Sequence, residues 1–314
     1  MKYNVLFIGC KPKGLDEIWG GSVATAYAYL KSFENSDKYN IIPVARDGIK
    51  TYDIIKSVLN KFEYDILHVD ETSILNLMYN GGFEVPDVIG PVTRSPIKTY
   101  GKTWKSDYTE EYFYKAKVIR LNRSEEWLYK GRLDYTDKVH FINHGIHTEL
   151  LKPSNNKNKN LILWAGDSER GAKGYEMWLD IQKYVKLPGK YEYKTLSNYN
   201  IKDYWDILDQ TKILINTSLY ETFCNAMFEA KSKAIPSIYK INLHNGRHLD
   251  GRIQVEYSVD GYADEIFKLL TDDEYYMNEA ILSRKYTVDN FSLEMMRKTY
   301  SNVYDLVIKE KYGE

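Results

Sequence analysis

The sequence predicts an α/β protein made of two doubly wound, parallel-sheet domains. Three observations carry that reading. The chain has 314 residues, about twice the length of a typical domain. Short apolar runs alternate with stretches of helical length, the rhythm of strand–helix–strand units whose crossovers force strands to run parallel. A polar stretch, Ser154–Asn160 (SNNKNKN), splits that rhythm into two halves.

Composition excludes several classes. The hydrophobic fraction is 43% and the formal charge is −1, which fits a globular chain with two cores and excludes global disorder. The charge is not basic, which argues against tight nucleic-acid binding. No apolar run approaches the ~18–20 residues of a transmembrane helix, and no signal-peptide pattern opens the chain. Two cysteines, Cys10 and Cys224, are too few for a disulfide framework, so a cytoplasmic setting is expected.

In the first half, Tyr3–Ile8 is a continuous apolar run read as a buried strand, and Ser22–Phe33 follows as a helix. Gly20-Gly21, just before the helix, would let a phosphate approach the backbone closely. A plain strand–helix connection suits the residues equally well. The loop from Gly9 to Gly21 has neither a G-x-G-x-x-G fingerprint nor a G-K-[ST] phosphate loop. Asn40–Val44 is a second strand, Tyr52–Lys61 a helix, and Asp65–Val69 a third strand ending in Asp70-Glu71-Thr72. An acid at the carboxyl end of a parallel strand is well placed for ligand work; His68 reads as a core histidine. Val88–Val92, Val118–Leu121 and Lys138–Ile142 supply further strands.

Between Arg94 and Arg132, ten basic residues stand against five acids, with aromatics such as Tyr100, Trp104 and Trp127 interleaved. Such a segment neutralises phosphates and stacks on bases, or settles at a membrane interface. The plain alternative is a solvated face with a few core aromatics.

The second half repeats the rhythm. Leu161–Gly166 is a strand, Gly174–Tyr184 a helix, Lys190–Thr195 a strand, Tyr204–Gln210 a helix and Lys212–Asn216 a strand. Glu221 then opens a helix-like segment carrying Glu229, and Ser237–Tyr239 follows Pro236 as a strand. Residues 290–311 form a helical tail. At ~1.5 Å rise per residue, the spacing of Glu221 and Glu229 is just over two helical turns. With Glu221 in the loop and Glu229 on the helix, both face a ligand held at the helix N-terminus, where free N–H groups attract phosphate. Between Gly166 and Gly174, a charged loop with Arg170 and Lys173 follows a strand and opens a helix. Two solvated acids and an ordinary charged loop are the bland reading of the same residues.

Glu221-Thr222-Phe223-Cys224-Asn225…Glu229-Ala230…Ala234-Ile235-Pro236 resembles the donor motif of retaining GT-B glycosyltransferases, above all the GT4-like group. That group reads E-T-F-G…E-A…G-x-P, so Cys224 and Ala234 replace glycines. Asn143-His144-Gly145-Ile146-His147…Pro153 resembles the hinge of those enzymes. Lys173-Gly174 resembles their K-G phosphate loop, although Asp167 stands where they carry Arg and the loop is one residue longer. In the first half, His68 matches one family histidine and Asp70 replaces the other.

The resemblance implies a GT-B fold: two Rossmann-like domains, an interdomain cleft and a last helix crossing back to the first domain. The domains are expected at 1–152, joined by the helix at about 290–314, and at 153–289. It implies transfer of a sugar, with retention, from a nucleotide sugar to a hydroxyl, and no required cofactor or metal. UDP-glucose is the donor that family frequency implies, with Asn198–Ile201 near its base. Gly21, Arg170, Lys173, Phe223, Cys224, Asn225 and Glu229 would bind the donor. Glu221 and Asp70 would be catalytic, while Arg94, Lys98 and Trp104 would stand on the acceptor side. The acceptor is either a cell-surface glycan or a hydroxymethylated base in phage-type DNA. For the latter, Lys173-Gly174-Tyr175…Trp178 loosely resembles a run in phage DNA α-glucosyltransferases. A non-catalytic sugar-nucleotide sensor and a nucleotide-sugar epimerase are readings from other classes, and peripheral membrane contact stays open.

Overall fold

The computed structural model describes residues 2–11, 21–90, 117–121, 138–142, 144–155, 159–219, 221, 223–241 and 252–313. The chain forms two compact units. The first holds the chain up to Gly145 together with Glu294–Glu314, apart from a short stretch ending at Ala24; Ile146–Leu293 belongs to the second. Residues after Gly145 join the second unit through specific bonds. The Ile146 N–H donates to the Phe291 carbonyl at 2.6 Å, and Ser232 Oγ donates to the Leu151 carbonyl at 3.0 Å.

In the first unit, β1 (Tyr3–Gly9), α1 (Gly21–Phe33), β2 (Tyr39–Ala45), α2 (Tyr52–Lys61), β3 (Ile66–Val69) and α3 (Thr72–Asn80) alternate as the apolar rhythm requires. β4 (Val88–Ile89), β5 (Val118–Leu121) and β6 (Val139–Phe141) extend the sheet. The order is β2-β1-β3-β4-β5-β6, with every pairing parallel. A parallel sheet covered on both faces wants strands that are apolar throughout, and β1 is buried from Val5 to Gly9. Leu6, Ile8, Ile55, Val69, Ile74 and Met78 form its core.

The second unit contains β7 (Leu161–Ala165), α4 (Tyr175–Tyr184), β8 (Glu192–Leu196), α5 (Ile201–Leu208) and β9 (Thr211–Asn216). α6 (Asn225–Ser232), β10 (Ser237–Lys240), β11 (Gln254–Val255), α7 (Val259–Thr271) and α8 (Asp273–Phe291) complete it. Its parallel sheet runs β11-β10-β9-β7-β8, around a core that includes Trp164, Trp178, Ile213, Ile215 and Tyr262. Side chains start three helices: Asn200 accepts from the Asp203 N–H for α5, Ser258 from Gly261 for α7 and Asp272 from Tyr275 for α8. Such caps are worth ~1 kcal/mol each.

The tail, read as one helix from residue 290, is interrupted at Ser292, which has extended backbone between α8 and α9 (Leu293–Tyr312). From Glu294 onward α9 belongs to the first unit. There Lys311 Nζ pairs with Asp87 at 2.7 Å, and Tyr304 enters the core beside β3. Among the described residues, no helix is long and apolar enough to cross a membrane.

Candidate functional site

In the second sheet β7, first in sequence, lies between β8 and β9. Chain connections leave β7 and β9 in opposite directions at that junction, and such a switch point opens a crevice at the carboxyl ends of the strands. A cavity of about 380 Å³ sits there, within the range of small-molecule sites. Gly166 after β7, Tyr199 after β8, and Asn216, Glu221 and Glu229 from β9 through α6 line it, together with Lys173.

The Lys173 loop is held in place by the loop that follows β9. Gly174 has φ 64°, a left-handed conformation that favours glycine. A Cβ there would lie 1.9 Å from the Thr217 carbonyl oxygen, so close approach requires glycine as well. Thr217 Oγ1 accepts from Trp164 Nε1 at 2.9 Å and donates to the Lys173 carbonyl at 3.1 Å. The Leu219 N–H bonds the Ala172 carbonyl at 2.8 Å. These contacts fix the backbone of the cation-bearing loop against that of the acid-bearing loop.

The charges then pair. Lys173 Nζ lies 2.5 Å from Glu221 Oε1, and Ser218 Oγ donates to the same oxygen at 2.8 Å. Burial works against the Lys173 ammonium, but the Glu221 carboxylate outweighs it and the pKa is raised. Glu229 is 5% exposed. Burial raises its carboxyl pKa to about 7, although the Trp205 indole pulls it down. Cys224 accepts from Asn216 Nδ2 at 2.9 Å, and burial pushes its thiol up to about 12. It is a packing residue rather than a nucleophile, since the thiolate is the reactive form.

α6 begins at the cavity, which Asn225 and Ala226 line. Its N-cap residue, Cys224, makes no side-chain capping bond, and its first turn has no acid. The positive end of its dipole therefore faces the cavity and would favour an anion there.

Of the residues singled out in the sequence, the structure gathers Arg170, Lys173, Glu221, Phe223, Cys224, Asn225 and Glu229 around this cavity, with Asn198–Ile201 represented by Asn198, Tyr199 and Ile201. Arg170 is exposed. The Phe223 ring stacks on Phe228 at 4.6 Å between centroids, so its side chain serves packing. Asp70 is in the other unit, at the carboxyl end of β3, where its N–H bonds the Ile8 carbonyl. Gly21 opens α1. Arg94, Lys98 and Trp104 lie outside the described residues. His68 is fully buried; its Nδ1 meets the Tyr304 hydroxyl at 2.8 Å and Phe7, Tyr29 and Tyr300 surround the ring. It is a core residue.

Tyr175 and Trp178, which carried the loose likeness to DNA-modifying enzymes, are also packing residues. Tyr175 lies on Trp164, and Trp178 is fully buried with its N–H on Thr195 Oγ1. Sequence reasoning missed Asn216, Thr217 and Ser218, the polar run that ties both loops together. Their only signal was a break in apolar character at the end of β9.

No protein-family model matches the sequence, and a search of curated proteins finds no significant match. Solved structures do match. Sucrose-phosphate synthase from Thermosynechococcus elongatus superposes with a TM-score of 0.78, at 11% identity over 98% of this chain and 100% of that one. Anabaena HepE, solved with UDP and glucose, gives 0.67 at 11% identity over 96% and 99%. An α-glucosyltransferase solved with UDP and a 13-mer DNA containing an HMU base gives 0.67 at 10% over 98% and 100%.

The fold is GT-B. At these identities the likeness is one of fold, since a fold hosts many functions. In this GT-B chain the carboxyl ends of β7 and β9 bring two acids, a half-buried ammonium and a helix N-terminus around one cavity.

Proposed function

We propose that the chain is a metal-independent, retaining glycosyltransferase whose donor is a UDP-sugar, UDP-glucose first among the candidates. The observation that carries this reading is the cavity at the β7–β9 switch point, where Lys173, Glu221, Glu229 and the start of α6 converge. The UDP complexes of HepE and of the α-glucosyltransferase, which share its fold, support the choice of nucleotide.

In this reading the pyrophosphate displaces Glu221 from Lys173. The ammonium, Arg170 and the α6 dipole then meet the charge that grows on the leaving diphosphate. Glu221, released, accepts from sugar hydroxyls. Glu229 accepts from the ribose hydroxyls, beside Tyr199. The acceptor is a hydroxyl, with a glycan as the first choice and a hydroxymethylated DNA base as the alternative that the DNA-bound neighbour supports.

A thermal-shift panel of UDP-, GDP-, ADP- and TDP-sugars tests the donor. Ligand at 100 times its dissociation constant stabilises by ~2.7 kcal/mol. UDP-sugars should shift the transition selectively, and Lys173→Ala or Glu229→Ala should abolish the shift. A panel with no shift at all would overturn the reading. With the donor known, incubation with glycans and with hydroxymethylated duplex identifies the acceptor, and NMR of the product's anomeric proton tests retention.

A further inference from the structure

The second unit has another cavity at the amino ends of the same strands, opposite the donor site. It encloses about 790 Å³ between α8 and the residues that precede β7 and β8 and open β9. Lys159, Lys190, Lys212, Lys233, Arg284 and Lys285 line it, against Asp273 and Asp289. Three of these cations are already engaged. Lys233 pairs with Asp209 at 2.6 Å and Lys285 with Asp289 at 2.5 Å; Arg284 donates to the carbonyls of Leu151 and Ser232.

Lys159, Lys190 and Lys212 have no ion-pair partner among the described residues. They also crowd one another. Burial lowers the Lys159 pKa, and Lys233 and Lys212 lower it further against the pull of Asp209. Burial lowers that of Lys212, and Lys190 adds to it against Asp273. Lys159 and Lys212 are half-buried and Lys190 is exposed, and an anion relieves like charges gathered at the mouth of a groove.

The α8 wall carries an apolar strip among its charged residues. Met277 and Ile281, one turn apart on α8, are 54% and 58% exposed, and both line the groove with Ala280 and Val288. The volume exceeds a single phosphate. The aromatic faces in the groove are occupied: Lys212 Nζ lies 3.4 Å from the Tyr276 ring centroid and Lys190 Nζ 5.0 Å from that of Tyr191. Bases therefore have no open ring on which to stack, as single-strand binding requires. Cations beside exposed aliphatic side chains are instead the pattern of an interfacial lipid contact.

We propose that this groove binds the phosphate headgroup of an anionic phospholipid, with Lys159, Lys190 and Lys212 on the phosphate and Met277 and Ile281 against the start of the acyl chains. The proposal is independent of the donor site, whose residues lie at the other ends of the strands.

Cosedimentation of the full chain with phosphatidylglycerol–phosphatidylcholine vesicles, against phosphatidylcholine alone, tests it. The wild-type protein should bind the anionic vesicles selectively. Lys159→Gln/Lys190→Gln/Lys212→Gln should weaken binding by about 100-fold, and Met277→Ser/Ile281→Ser by about tenfold. Removing like charges should leave the melting temperature unchanged or raised, and the response to UDP-sugars should persist in both variants. Equal binding to both vesicle types, or full binding by either variant, overturns the proposal. So does a lysine variant that loses duplex DNA while the wild-type protein ignores vesicles, which would make the groove a nucleic-acid site.

Discussion

In the first unit β1 lies between β2 and β3, and in the second β7 lies between β8 and β9, so the two sheets share one winding order and each has a switch point at its carboxyl edge. Their side chains there differ in kind. Beside β7 and β9 the chain places a buried carboxyl, a paired ammonium and a helix start around a cavity. Beside β1 and β3, His68 is sealed into an aromatic cluster completed by Tyr300 and Tyr304 of α9. Topology offers the same position twice, and what packs over the third strand decides which side chains it presents.

The sharpest way to break this contrast is at the glycines of the two switch points. Gly174→Ala meets the Thr217 carbonyl, a backbone atom, at 1.9 Å and adds the cost of φ 64°. Backbone strain of that kind costs ~1–3 kcal/mol before any clash is counted, so the total should exceed ~3 kcal/mol and donor binding should vanish. Gly9→Ala meets the end of the Phe7 ring at 2.7 Å, a side chain that can shift; its cost should be ~1–3 kcal/mol, with donor binding kept. Denaturant melts with and without UDP-glucose measure both. Equal losses would mean the Lys173 loop is not uniquely constrained.

Glu229 provides the next test. Its folded pKa, about 7, lies above its ordinary 4.5, so between these values the native state holds the proton more tightly than the unfolded chain. Stability therefore falls as pH rises from about 4.5 to 7, by ~3 kcal/mol in all, and levels off above. Glu229→Gln should remove that fall: equal to wild type at pH 4, more stable at pH 8, and a weaker binder of UDP-glucose. A variant no more stable at pH 8 would show that Glu229 is not desolvated in the free protein.

Tyr304 makes the opposite trade in the first unit. Its hydroxyl meets Tyr29 Oη at 2.5 Å and His68 Nδ1 at 2.8 Å inside the core. Tyr304→Phe leaves buried polar atoms with one partner fewer, costing ~1–3 kcal/mol, while the response to UDP-glucose should stay intact. Loss of that response would return His68 to the list of functional residues.

The sequence was most legible where one signal sufficed. β1, β7 and β9 are continuous apolar runs because both sheet faces are covered; spacing joined Glu221 to Glu229, and the resemblance to the K-G loop added Lys173. Legibility ended where tertiary contacts decide. α5 starts at Ile201, before the expected Tyr204, because Asn200 caps it. α8 escaped notice because its buried positions include Glu279, Ser283 and Thr287, which blur the apolar period; Glu279 is tolerated there by its bond from Arg252. The Trp164–Thr217–Lys173 chain of bonds spans residues far apart in sequence, and no local pattern announces it.

The smallest effects belong to two helix exits. After α3 the chain turns through Gly82 at φ 68°, and after α6 through Ala234 at φ 54°. The second turn is held by bonds from the Ala234 N–H to Lys231 and from the Ile235 N–H to Ala230, so the conformation is enforced although the residue disfavours it. A left-handed L-residue costs ~1–2 kcal/mol, and glycine gives back ~0.5–1 kcal/mol through the entropy of the unfolded chain. Ala234→Gly should thus stabilise by ~0.5 kcal/mol, and Gly82→Ala, where a Cβ meets nothing within 4 Å, should destabilise by a similar amount. Opposite signs in paired denaturant melts would show that both exits obey the same backbone rule and that the second unit carries unrelieved strain. Destabilisation by Ala234→Gly would mean instead that the Ala234 methyl packs well enough to offset its conformation.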